Sequence, residues 1–181
     1  PALIVVMALI LKRVANFDAG KEAINKMVTI IIYAAIANMF FVCLEFFVGF
    51  YSQIPGHKHT LQYLFFGLEH HGHVYNNLVP FMWAFVVLFF VGIALLSHPY
   101  TRKGNDLWLG IGAASIFFAF WLDKGIGFVL GGFVPTPTHE IVEYYPTLNE
   151  LFITVGVWAT GFFILTILYK IAIDVEHEIE A

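Results

Sequence analysis

A single carboxylate interrupts the apolar run MVTIIIYAAIANMFFVCLEFFVGFY: Glu45, between Leu44 and Phe46. A charged side chain inside such a run costs about 3 kcal/mol on membrane-insertion scales, so Glu45 is expected to face other helices or water. Loss of hydration favours the neutral carboxyl, which makes Glu45 a candidate proton carrier. The alternative is a protonated side chain bonded to a nearby backbone carbonyl. Asp123 and Lys124 pose the same question near the end of another run, after Trp121. Adjacent helical residues do not face each other, so these two are expected to pair poorly. Either Asp123 turns inward toward Glu45, or both lie at an interface with Lys124 snorkelling. His139, Glu140 and Glu143 form a third set, titratable groups beside an apolar run that suit the passage of protons. An ordinary solvated loop is the alternative there.

His57, His59, His70, His71 and His73 lie in one connector beside Glu69. Imidazole suits Cu, Zn, Fe or Ni, so His70, His71 and His73 are weak metal candidates. Their spacing matches no closed metal motif, and the apolar stretch Leu61 to Leu68 suits a helix lying in an interface plane. An interfacial or partner-contacting set of histidines is the expectation. No histidine falls in the middle of a complete apolar run, so no haem is expected between these helices. Cys43 is the one cysteine. No disulfide framework follows from it, and any iron–sulfur cluster must belong to a partner.

The elements that position these groups are apolar rods. The chain is 60% apolar and only 12% charged, with a mean hydropathy of +0.80. A soluble domain carries about 25% charge. The net charge of -4 says nothing about nucleic acid, and the absence of a basic patch with interleaved aromatics leaves no sign of it as a partner. A membrane span needs about 20 apolar residues. Four runs reach that length: Met27 to about Tyr51, Leu78 to Leu96, Leu107 to about Leu130, and Leu148 to Ile173. A shorter one, Ala2 to Leu11, is expected to be the end of a span that begins upstream of Pro1. Asn105 and Asp106 are candidate caps. The expected fold is an all-α integral membrane protein of four complete transmembrane helices forming a bundle, plus one partial N-terminal helix. Residues 1–26 are the end of that span and a connector, 27–173 the bundle, and 174–181 an acidic cytoplasmic tail.

Between the last two runs lies GGFVPTPTHEIVEYYPTLNE, Gly131 to Glu150. Pro135, Pro137 and Pro146 remove donors and fix φ, so helix is not expected before Thr147. Thr147 and Glu150 then form a T-x-x-E capping box. Alternation of the runs puts Lys12, Arg13, Lys21, Lys26, Arg102, Lys103 and Lys170 on one side and Lys58 and Lys124 on the other. The positive-inside rule makes the first side cytoplasmic, with the C-terminus. The histidine-rich and proline-rich connectors then face outward together. Gly110, Gly112, Ala113 and Ala114 in one run, and Gly156, Ala159 and Gly161 in another, suit close helix packing.

The wording EIVEYYPTLNELFITVGVWATGFFILTILYKIAI, with HPYTRKGNDLWLGIGAASIFFAFWLDKGIGFVLGGFVPTP before it, resembles the NrfD-type polysulfide-reductase membrane-subunit family, most closely its DsrP-like members. The likeness covers Met27 to Ile173 in pattern and Pro99 to Ile173 in wording. It implies a haem-free, all-helical subunit of a respiratory complex in the cell membrane, serving sulfur metabolism in anaerobic respiration. Such a subunit exchanges electrons between menaquinone and a ferredoxin-like iron–sulfur subunit on the outer face. Other membrane and cytochrome subunits would complete the complex. The chain would be the second of two four-helix bundles. The family's quinone pocket lies largely in the first, so no quinone ligand carries over residue by residue. Glu45 and Asp123 stay candidates by their expected burial alone, for proton transfer or structure rather than direct quinone contact, and Glu143 and His139 by their loop position. An ion or solute transporter built on Glu45 and Asp123, and a metal-binding membrane oxygenase subunit built on the histidines, are the other functional readings.

Overall fold

The computed structural model describes residues 1–14, 18–52, 55–70, 72–102, 105–132, 134, 141 and 147–180. The chain is mostly helical and divides into two compact units, Pro1–Glu143 and Tyr144–Ala181. Four helical stretches are long and apolar enough to cross a membrane: Lys21–Tyr51, Val79–Ser97, Asp106–Phe128 and Leu148–Ile171. A spanning backbone must satisfy its own hydrogen bonds, which a helix does within one segment. The architecture is consistent with an all-α membrane protein.

In the first unit, α1 is Ala2–Val14 and α2 is Lys21–Tyr51. The latter starts six residues before the apolar run. Lys21, Glu22 and Lys26 are good helix formers, and Glu22 and Lys26 pair at 2.8 Å one turn apart. A shorter helix α3, Pro55–Phe65, follows. Two strands, β1 Leu68–His70 and β2 His73–Tyr75, form an antiparallel hairpin that pairs Leu68 with Tyr75 and His70 with His73. This short hairpin is an addition to an otherwise helical unit, within the histidine-rich connector. Gly72 at its turn has φ 78°, a conformation most L-residues avoid.

α4, Val79–Ser97, ends where His98 turns extended (φ -72°, ψ 128°) ahead of Pro99, as proline's ring requires. α5 is Pro99–Arg102 and α6 is Asp106–Trp121. α6 runs straight into a π-helical segment, Leu122–Leu130. Neither expected cap of α6 acts as one. Asn105 makes no side-chain capping bond, and Asp106 accepts from Lys12 Nζ at 2.9 Å instead.

α4 and α6 pack closely along their length. A Cβ on Gly92 would lie 2.7 Å from Ile116 Cγ1 and 3.1 Å from the Gly112 carbonyl oxygen. Only hydrogen at both positions allows that approach. Gly112 thus packs as its run suggested, while Gly92 carried no such expectation. Val28, Ile31, Ala35, Phe85, Leu96, Ala113 and Ile116 fill the space around this crossing.

One end of the unit is tied by polar contacts. Lys12 on α1 meets Asp106 on α6, and Asp18 at 3.7 Å. Arg102 donates through Nε to the Leu96 carbonyl (3.0 Å) and through Nη2 to Thr29 Oγ1 of α2 (3.1 Å).

The second unit is one helix, α7, Leu148–Glu180. Its capping box forms as read: Thr147 N–H donates to Glu150 Oε2 at 2.7 Å, and Glu150 N–H to Thr147 Oγ1 at 3.4 Å. Thr154, Thr160 and Thr166 each donate to the carbonyl four residues back, which leaves no hydroxyl proton bare. A Cβ at Gly156 or Gly161 would meet nothing within 4 Å among the described residues.

Candidate functional site

The first unit has a half-open cavity of about 1060 Å³ at the end remote from the Lys12–Asp106 pair. Thr29 and Glu45 mark the two ends on α2, about 24 Å apart at 1.5 Å per residue. Three elements supply most of the wall. α2 presents Val42, Glu45, Phe46 and Gly49, spaced at i, i+3, i+4 and i+7 and so on one face. α3 presents Gly56, His57, Thr60, Leu61 and Leu64 by the same periodicity. The π segment presents Asp123, Lys124, Gly127 and Phe128.

Glu45 and Asp123 both line this cavity. Their environments differ. Glu45 is exposed on the cavity wall. Asp123 is 8% exposed. The expectation that Asp123 and Lys124 pair poorly is overturned: Lys124 Nζ lies 2.9 Å from Asp123 Oδ2. That expectation assumed α geometry. A π-helix changes the angle between successive residues, and lysine's flexible stem covers the rest. The contact compensates charge without hydrogen-bond alignment. Asp123 Oδ2 is buried and receives no hydrogen bond from the described residues.

Two contacts hold the cavity's roof. Thr60 Oγ1 lies 2.9 Å from both the Gly56 and Val134 carbonyl oxygens, tying α3 to the chain beyond the π segment. Trp83 Nε1 of α4 donates to the Phe65 carbonyl at 3.2 Å.

The remaining candidates scatter. His57 lines the cavity, whereas His59 on α3 does not. His73 is exposed on the hairpin, opposite His70 in register. The His70 side chain, His71, His139, Glu140 and Glu143 lie outside the described residues. Among the described residues no three of His, Cys, Asp and Glu gather as a metal site.

Three features escaped sequence reasoning. The π segment had a signal in DKGIG, a charged pair and two glycines inside an apolar run. The hairpin had one in Gly72, a turn-forming residue between two short segments. Asn38 on α2 is the third. Its Nδ2 is buried with no partner among the described residues, and its only signal was a lone amide among apolar neighbours. Comparison with protein-family models, curated proteins and solved structures finds no match to the chain.

Proposed function

We propose that the chain is a membrane subunit of a respiratory redox complex, exchanging electrons and protons between menaquinone and an iron–sulfur partner subunit. The observation that carries the reading is the convergence of Glu45 and Asp123, from two different spans, on one cavity. Quinol oxidation releases two protons with two electrons, and carboxylates are apt acceptors for those protons. The electrons need a centre outside this chain, because one cysteine, Cys43, cannot hold a cluster. The family resemblance in Pro99 to Ile173 supplies menaquinone and the ferredoxin-like partner. In this reading the protein is a multi-pass subunit of the cell membrane with its C-terminus cytoplasmic. The cavity end faces outward beside the partner, and the arginine- and lysine-bearing end faces the cytoplasm.

The test uses the full-length protein in native membranes. Adding a short-chain naphthoquinol should reduce an associated iron–sulfur centre, followed by electron paramagnetic resonance. Glu45→Gln should slow that reduction about 100-fold, the usual scale for losing a positioned proton acceptor. Absence of any quinol-reducible iron–sulfur centre would overturn the reading.

The π winding at Asp123 favours one rival, an ion transporter, since such interruptions recur where transport sites are built. Ion uptake by purified protein with no electron donor would establish that rival.

A further inference from the structure

We propose that Arg102, held between the end of α4 and the start of α2, anchors a binding site for the phosphate of an anionic phospholipid. Its guanidinium donates through Nε to the Leu96 carbonyl and through Nη2 to Thr29 Oγ1, both of them neutral acceptors. Leu96 lies in the last turn of α4, where helix carbonyls lack a partner of their own. Thr29 gives its hydroxyl proton to the Asn25 carbonyl at 2.9 Å, so towards Arg102 it acts only as an acceptor. Two contacts thus fix the guanidinium before any ligand arrives, and its remaining N–H donors are open. Among the described residues no carboxylate pairs with it. The side chain is half-buried where the apolar helices end, a place in which a cation normally has a counter-charge. A phosphate matches the open side of the fork and supplies that charge.

The surrounding charges favour an anion at this position. The acids at this end are already held, Asp106 and Asp18 by Lys12 and Glu22 by Lys26. Arg13 and Lys21 are exposed, have no ion pair among the described residues and add to the positive field.

The flank of the site makes the phosphate a lipid's. Lys26, Thr29, Ile30 and Tyr33 recur at i, i+3, i+4 and i+7 and so share one face of α2. Ile30 and Tyr33 are exposed there, and Tyr33 lies about 6 Å deeper along the helix than Thr29. A head group on Arg102 therefore lays its acyl chain along an apolar stripe, from which a free phosphate gains nothing. Lys26 stands one turn outward. Its pair with Glu22 is exposed and weak, so the ammonium is free to turn to a second phosphate oxygen. A zwitterionic lipid brings a cation of its own into a positive field, so net-anionic head groups are preferred.

The experiment uses the full-length protein, delipidated in a mild detergent and followed by native mass spectrometry. Added phosphatidylglycerol should be retained about tenfold more tightly than phosphatidylcholine with the same chains. Inorganic phosphate in large excess should not displace it. Arg102→Gln should weaken retention about tenfold, the scale of losing charge-assisted hydrogen bonds. Thr29→Val, which keeps the shape and removes the acceptor that orients the guanidinium, should weaken it about threefold. Arg13→Gln should leave it within about twofold, since a field charge off the site contributes little. The proposal is overturned by absence of lipid adducts, by equal retention of the two lipids, or by equal losses in Arg102→Gln and Arg13→Gln, which would reduce the effect to the general positive field. Displacement by inorganic phosphate also overturns it, in favour of a soluble anion. The lipid comparison and the phosphate competition need only the unaltered protein, so a variant that fails to fold does not shield the proposal.

Discussion

Lys12 shows how one side chain links two helices through charge. Its hydrogen bond to Asp106, with the nearby charges of Asp106 and Asp18, raises the ammonium's pKa above the ordinary 10.5 against a smaller opposing effect of burial. A group whose pKa is raised on folding stabilises the fold fully below its unfolded value and loses that contribution as pH rises through the folded value. Thermal unfolding should therefore show the Lys12 contribution constant at neutral pH and declining above about pH 10.5. In Lys12→Met that alkaline decline should shrink; an unchanged profile would mean that the contact contributes nothing. Glu45 and Asp123 mark the limit of reading single residues. Both types stand out in apolar runs, yet nothing local distinguishes the exposed carboxylate from the buried one. Rotation of each helix about its axis decides that, and the rotation is set by its neighbours.

At the scale of elements, the runs of apolar residues gave the spans to within a few residues, because hydropathy and length are local properties. The α7 cap was equally legible, since Thr147 and Glu150 satisfy each other without outside help. Crossing geometry was less so. Gly112 was named among four small residues, but its partner Gly92 stands alone in a run of large side chains. Gly92→Val should destabilise the α4–α6 pair by about 2 kcal/mol through overpacking against Ile116. Thermal unfolding in detergent checks this, and a stability equal to the parent's would show that the helices can separate freely. The π segment was also hidden. It reveals itself only through DKGIG, where Asp123 and Lys124 break an otherwise apolar run.

Over the whole first unit, polarity is divided between two ends. Lys12, Thr29, Arg102 and Asp106 gather at one, and Glu45, His57, Asp123 and Lys124 at the other. Sidedness can be tested with Cys43→Ser as background and single cysteines at Lys21 and Lys58. A membrane-impermeant maleimide applied to intact cells should label Lys58→Cys, and Lys21→Cys only after permeabilisation. The reverse pattern would invert the proposed topology.

What the amino-acid order determined alone was the medium and the rods: where lipid-compatible helices run, where proline stops them, and where a threonine–glutamate pair starts one. These depend on residues within a turn or two of each other. Tertiary structure decided which face of each rod looks inward, that Lys124 reaches back to Asp123, and that two acids 78 positions apart (123 minus 45) line one cavity. Those outcomes depend on packing between helices, and the energy of a contact belongs to both partners at once.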